Sequence, residues 1–308
     1  VIVGLDGTDT ITTGDGNDRV CAGDNPTVSV DERSVYEQVS VDYFDLGDKL
    51  IDGGPGLDSI RAVRNHGPND QIWGGSNPKI LEHGETVREV IRGSGRVYGG
   101  DGDDFLVVEI VETTPKAFGG AGDDRIAGIS DGGGALLLSG GPGNDAIFGD
   151  SVEATFILRG GPGDDTLQVE TAIEAQLFGG NGRDRLQSWF GRDLLDGGPG
   201  PDVLLAGPGD DRAFGGYGAD TVRGGPGNDE LRGGPDNDVL RGKGGADRVF
   251  GGGGRDLLRG GPGRDTLRGR QGRDVLRGGS GLDTNYGGTG NDFCRSPGSG
   301  ARAHSCER

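Results

Sequence analysis

Between residues 179 and 295 one apolar side chain recurs every ninth residue, in surroundings made almost entirely of Gly, Asp, Asn and Arg. Leu186, Leu195, Leu204, Ala213, Val222, Leu231, Leu240, Val249, Leu258, Leu267 and Leu276 hold this place, and Asn285 and Cys294 replace it at the end. The 117 residues divide into thirteen nine-residue units without an insertion or deletion. A period this strict marks a solenoid built from one short supersecondary unit. Within a unit such as 233–241, the last three residues, Val239-Leu240-Arg241, alternate out, in, out as a very short strand. Gly, Asp and Asn fill the first six positions and tolerate positive φ, which predicts a six-residue turn.

The sixth position is Asp in every unit: Asp184, Asp193, Asp202, Asp211, Asp220, Asp229, Asp238, Asp247, Asp256, Asp265, Asp274, Asp283 and Asp292. Together with glycine carbonyls, and Asn or Asp at position five in some units, these residues put hard oxygens at each turn. That is the ligand set of Ca²⁺, which takes six to eight oxygens. No Cys/His cluster accompanies them, so nothing here suits zinc or copper.

The units resemble the G-G-x-G-x-D-x-U-x nonapeptide of the RTX (haemolysin-type) calcium-binding repeats. The resemblance implies an all-β fold, a parallel β-roll or β-helix solenoid with two nonads per coil and turns stacked along both edges. It also implies that turns n and n+2 share an ion, with the Asp residues bridging. Family members include toxins, proteases, lipases, epimerases and adhesins, so the module specifies a fold more closely than a job.

Upstream the pattern is looser. Residues 4–12 and 13–21 are two nonads, with Asp9 and Asp18 at position six, so the repeat starts near the N-terminus with no separate catalytic domain before it. Residues 22–46 are acidic and lose the pattern; Val28-Ser29-Val30 and Val39-Ser40-Val41 are expected to form a small hairpin or flap off the coil. From Gly53 glycine pairs return at wider intervals, starting at Gly53, Gly74, Gly99, Gly119, Gly140, Gly160 and Gly179, about one coil apart. Gly-poor apolar runs such as 135–138 and 155–158 lie between them. This predicts ion turns on one edge only, with Asp104, Asp124, Asp145 and Asp165 extending the row of Asp184, Asp202 and Asp220, and Asp58 as a weaker extension because Lys79 breaks the next unit. The chain thus reads as an irregular solenoid over 1–178, a regular roll over 179–295 and a cap over 296–308.

Composition sharpens this. Gly makes up 69 of 308 residues and apolar residues only 31%, too lean for an ordinary core. The net charge of −19 predicts an ion-free array that repels itself and unfolds, so that metal binding and folding are one event. The charge is concentrated upstream. Residues 179–308 hold 19 Lys/Arg against 18 Asp/Glu, whereas residues 1–178 hold 12 against 32. The chain begins at Val1 without any Met, as a processed protein or a segment would, and it contains no signal peptide or membrane-length apolar run. Cys294 and Cys306 flank the tail and are expected to close a disulfide in an oxidising compartment, the alternative being two free thiols; Cys21 has no evident partner.

Alternate units face the same way. One face carries Val203, Thr221, Val239, Leu257, Val275 and Phe293 beside Leu205, Arg223, Arg241, Arg259, Arg277 and Arg295; the other carries Phe214, Arg232, Phe250, Arg268 and Tyr286. The arginines keep the sheets soluble and balance the acidic edges, or they bind an anionic polymer or glycan; the apolar ladder could support self-association. Catalysis is not expected. There is no H-E-x-x-H, the three His are scattered at 66, 83 and 304, and the G-x-S-x-G match at 128–132 lies between repeats rather than on a strand–elbow–helix. Ice binding is disfavoured because Pro is the commonest residue at position three, and Thr289-Gly290-Asn291 is the lone good match to the Thr and Asn pattern. The expected function is a secreted, calcium-folded roll, closest to cysteine-capped bacterial RTX-like proteins, with a structural, adhesive or surface-binding role and no nucleic-acid partner. The alternatives are a non-catalytic module of a larger secreted enzyme or toxin, or a self-assembling extracellular protein.

Overall fold

A computed structural model describes residues 96–110, 116–130, 133–295 and 302–306, together with the backbone of short strands between Ile2 and Arg92. All regular structure among the described residues is β, thirty-two strands with no helix. Contacts divide the chain into two units, Val1–Gly161 and Pro162–Arg308.

In the second unit the strands alternate between two parallel sheets, so each pairs with the strand one full coil away. The strand Val239–Gly244 lies between Thr221–Pro226 and Leu257–Pro262, with Val239 level with Thr221 on one side and Leu257 on the other. In the opposite sheet Arg248–Gly254 lies between Glu230–Gly234 and Thr266–Gly272. Two units make one coil of 18 residues, and the eighth position points inward. Leu186, Leu195, Leu204, Ala213, Val222, Leu231, Leu240, Val249, Leu258, Leu267 and Leu276 are fully buried. Each buried Leu contributes about 2 kcal/mol.

Many strands are longer than the three residues expected from the pattern. Val239–Gly244 and Leu257–Pro262 run through positions seven to nine and on through the first three positions of the next unit, Gly242-Lys243-Gly244 and Gly260-Gly261-Pro262, leaving only positions four to six for the turn. The reason lies in the glycines. Position one faces inward against the aspartate of its own unit; a methyl group at Gly197 would overlap Asp202 Oδ2 and stand 2.5 Å from the carbonyl oxygen of Gly215 in the next coil. Position two has φ near 130°, as at Gly252 (136°) and Gly261 (129°), where side chains are strained. Glycine is therefore a strand residue in most units, because it lets the coil close around the Asp without a clash or a strained φ; Ser188 and Ala206 at position one and Lys243 and Arg270 at position two are exceptions.

The first unit uses the same parallel pairing with longer coils. Arg125–Ser130 pairs with Phe105–Ile110 and Ala146–Asp150, and Gly134–Ser139 pairs with Lys116–Ala121 and Ala154–Pro162. Its interior is richer in hydrocarbon: Leu106, Val108, Leu136, Leu138, Phe156 and Leu158 are all buried. Gly128 and Gly149 make room for these side chains. A Cβ at Gly149 would stand 2.7 Å from the Phe156 ring, and one at Gly128 would stand 2.8 Å from Leu136.

The strands Thr27–Val30 and Ser40–Asp42 correct the expectation of a hairpin. They do not pair with each other. Thr27–Val30 runs parallel to Thr10–Thr13 and Leu50–Asp52, and Ser40–Asp42 runs parallel to Arg19–Cys21 and Arg61–Val63. Alternation alone cannot distinguish a hairpin strand from a coil strand, because both have period two.

At the C-terminal end Arg302–His304 adds a last strand beside Thr284–Thr289, with Ala303 level with Asn285 and His304 with Tyr286. The Tyr286 and His304 rings stack with centroids 4.9 Å apart. Cys294 and Cys306 form the expected disulfide across a Cα–Cα distance of 5.7 Å, tying this strand down.

Candidate metal centre

The aspartates of position six form two rows, one along each turn edge of the roll. Each donates its backbone N–H to Oδ1 of the equivalent Asp one coil later. On one edge the chain of bonds runs Asp184 to Asp202 (2.7 Å), Asp202 to Asp220 (2.8 Å), Asp220 to Asp238 (2.8 Å), Asp238 to Asp256 (2.9 Å), Asp256 to Asp274 (2.9 Å) and Asp274 to Asp292 (2.9 Å). On the other edge it links Asp193, Asp211, Asp229, Asp247, Asp265 and Asp283 at 2.8–3.2 Å. Upstream, Asp104 donates to Asp124, Asp124 to Asp145, and Asp165 to Asp184 within their own units. Asp9, Asp18 and Asp58 lie outside the described residues, as do His66, His83 and the side chain of Cys21.

One carboxylate oxygen is thereby satisfied and the other is not. In all thirteen units from Asp184 to Asp292, Oδ2 is buried and accepts no hydrogen bond. Burying a charged carboxylate without a partner costs several kcal/mol. Thirteen such groups would exceed the 5–15 kcal/mol that holds a domain together. The coil therefore needs each oxygen either protonated or bound to a cation.

Without a cation, burial drives these groups towards the protonated form. Loss of water, reinforced by neighbouring aspartates and opposed by the backbone N–H bond, pushes Asp124 and Asp238 up to about 8. Asp202, Asp211, Asp256 and Asp265 rise to about 7 for the same leading reason. Asp184, Asp220, Asp229 and Asp247 rise to about 6.

The oxygen environment fits a hard cation. Oδ2 of Asp202 and the carbonyl oxygen of Gly215 converge where a side chain at Gly197 would stand, and the same pairing surrounds Gly179, Gly251, Gly260 and Gly269. Among the described residues no three His, Cys, Asp or Glu side chains cluster as a metal site. The available donors at each turn are one carboxylate per unit and backbone carbonyls, the hard-oxygen type.

Position five behaves differently from its expected part in the ligand set. Asp210 Oδ1 accepts the N–H of Asn228, Asn228 Oδ1 accepts that of Ala246, and Asn237 Oδ1 accepts that of Arg255. These exposed side chains stitch successive turns together. The second row also has a defect invisible in the aspartates themselves. Ser188 and Ala206 replace glycine at position one beside Asp193 and Asp211, and the Ser188 hydroxyl donates to Ala206 O at 2.7 Å.

Residues 1–25, 92–108, 176–204, 196–231, 205–240, 223–258, 232–267 and 259–294 match the family model of the RTX calcium-binding nonapeptide repeat, together more than half of the chain. The chain belongs to the RTX calcium-binding nonapeptide repeat family. No curated protein matches it as a relative.

Repeats of the RTX family bind calcium in a β-roll that is typically structural rather than catalytic. Gly128 of the G-x-S-x-G match sits inside the strand Arg125–Ser130, where a Cβ would meet Leu136 and Leu138. No helix of the described residues is long and apolar enough to cross a membrane.

The outward faces of the RTX roll are ordered ladders. Arg223, Arg241, Arg259, Arg277 and Arg295 stand level on successive strands, about 4.8 Å apart. On the other sheet the Arg232 guanidinium lies 5.4 Å from the Phe214 ring centroid and 5.6 Å from that of Phe250. Arg268 lies 5.9 Å from Phe250 and 5.2 Å from Tyr286.

Proposed function

We propose that this chain is a calcium-folded roll that works outside the cell in a structural, adhesive or surface-binding role. The observation that carries the reading is the row of thirteen buried Oδ2 atoms without hydrogen-bond partners. The aspartates from Asp184 to Asp292 hold the ions, Oδ2 facing the cation and glycine carbonyls of successive coils completing the oxygen shell. Asp104, Asp124, Asp145 and Asp165 extend one row upstream. The ions supply the positive charge that lets buried carboxylates remain ionised, and folding free energy is drawn from binding. Asp193 and Asp211 hold their ions least well, because Ser188 and Ala206 put side-chain atoms where the other coils leave space.

Such a chain stays unfolded where calcium is scarce and folds where it is plentiful, which favours an extracellular place of work; typical secretion of RTX proteins by bacteria and the Cys294–Cys306 disulfide support the same location. Far-UV circular dichroism with sedimentation velocity during a calcium titration tests the reading. The expected result is a transition from disordered chain to β structure within the range of weak extracellular sites, about 10⁻⁴–10⁻³ M. Full β structure in chelator at neutral pH would contradict it, and the sedimenting mass separates a lone roll from a self-assembling one.

A further inference from the structure

The strand Arg248–Gly254 ends in four consecutive glycines, Gly251 to Gly254. Position three of the coils on either side carries Pro235 and Gln271, whereas Gly253 carries nothing, and a Cβ there would meet only Pro235 Cα at 3.9 Å. Gly253 lies in the floor of a groove of about 480 Å³, bounded by Arg232, Pro235, Phe250, Arg270 and Gln271. Pockets of this size take a small ligand.

Charge converges on the groove. The guanidiniums of Arg232 and Arg270, which line it, lie 5.6 and 5.5 Å from the Phe250 ring centroid, and that of Arg268, outside the lining, lies 5.9 Å from the same ring. Only Arg232 is answered, by Glu230, through Nη2 at 2.6 Å and Nε at 3.0 Å. Arg268 and Arg270 have no carboxylate partner among the described residues. The nearby turn carboxylate of Asp236 is turned to the previous coil, where Gly218 N donates to it at 3.3 Å. Arg270 therefore lines the groove without a counter-charge, and Arg268 adds a second unanswered guanidinium over the same ring.

Arg270 also departs from the repeat at a structural cost. It holds φ of 85° at position two, where the flanking coils have Gly252 (136°) and Gly288 (115°). Side chains at such angles strain the backbone, and strain of this kind collects at functional sites. Its guanidinium gains no ion pair in return.

We propose that this groove binds a phosphate monoester carried on a single sugar-sized group. A phosphate monoester has a charge of about −1.5 to −2 at pH 7, opposite in sign to the unanswered guanidiniums beside Phe250. Arginine forks fit its oxygens in pairs. The space left by Gly253, beside Phe250 and Pro235, accommodates the sugar.

The test is calorimetric titration of the calcium-saturated full chain with glucose 6-phosphate, and with glucuronate as a singly charged control. Saturable one-site binding of the sugar phosphate is expected, with glucuronate much weaker. Arg270→Gly restores the repeat's own residue, so its thermal midpoint should rise while affinity falls by about tenfold or more, the loss expected for charged hydrogen bonds. Gly253→Leu fills the groove from a position without positive φ and should also abolish binding; if that variant shows no β signal, Arg270→Gly alone decides. No saturable binding, unchanged affinity in Arg270→Gly, or glucuronate bound as tightly as the sugar phosphate would each overturn the proposal.

Discussion

The coils of residues 96–161 and those of 179–295 share one pairing scheme but close their interiors differently. Upstream, Leu136, Leu138, Phe156 and Leu158 fill the coil, and glycines at 128 and 149 open space for them. In the regular array each unit up to Leu276 buries one Leu, Val or Ala, and an aspartate is buried at each turn. Hydrocarbon holds its place without help. A carboxylate holds its place only with a proton or a cation. The array has therefore exchanged intrinsic stability for dependence on its surroundings, and the upstream coils have done so on one edge alone.

Removing calcium should produce the largest divergence between the two. In chelator at neutral pH, hydrogen exchange should lose protection throughout 179–295 while part of 96–161 stays protected. Equal loss in both regions would mean that the upstream core gives no independent support.

Acid should partly reverse that loss. Unfolded carboxyls titrate near 4, whereas burial raises Asp202, Asp211, Asp256 and Asp265 to about 7 and Asp124 and Asp238 to about 8. Between those limits the coil binds more protons than the unfolded chain, so ion-free stability is present below about pH 4 and is lost as pH rises towards 8. Calcium-loaded protein should run the other way, its calcium midpoint worsening as pH falls, because protons compete for the same oxygens. Circular dichroism at several pH values, with and without chelator, checks both slopes.

Point substitutions sharpen the contrast further. Phe156→Ala should cost about 3–5 kcal/mol whether or not calcium is present, since it removes a buried ring from a hydrocarbon core. Asp238→Asn should be smaller and change sign. The amide oxygen can still accept the Asp220 N–H, now at 2.8 Å, but the charge is gone. The ion-free coil should gain stability, and the calcium midpoint should rise about tenfold, or ~1.4 kcal/mol. Thermal melts in chelator and in excess calcium distinguish the two variants.

Much of this was legible in the sequence because period and residue type report directly on the coil. The inward row of Leu186 to Leu276, the aspartates and the end signal at Asn285 and Cys294 all follow from counting nines. What counting could not supply was the role of particular glycines. Gly197 is in a strand rather than a turn, closing against Asp202 of its own unit and against the Gly215 carbonyl eighteen residues on, a contact that local propensity does not report. Asn228 and Asn237 carry ligand-type oxygens, yet bond to backbone one coil on. Arg270 at a glycine position is a visible departure from the repeat, but its meaning depends on its meeting Gly253 beside Phe250.

The most direct test of the central claim is the number of calcium ions bound at saturation, measured by equilibrium dialysis alongside the β signal. If ions hold the buried oxygens, the folded chain should carry close to one per nonad of the regular array, with the sites beside Ser188 and Ala206 filling last. A fully folded chain at neutral pH holding only a few ions would leave most Oδ2 atoms buried, charged and unaccounted for, and would contradict the account.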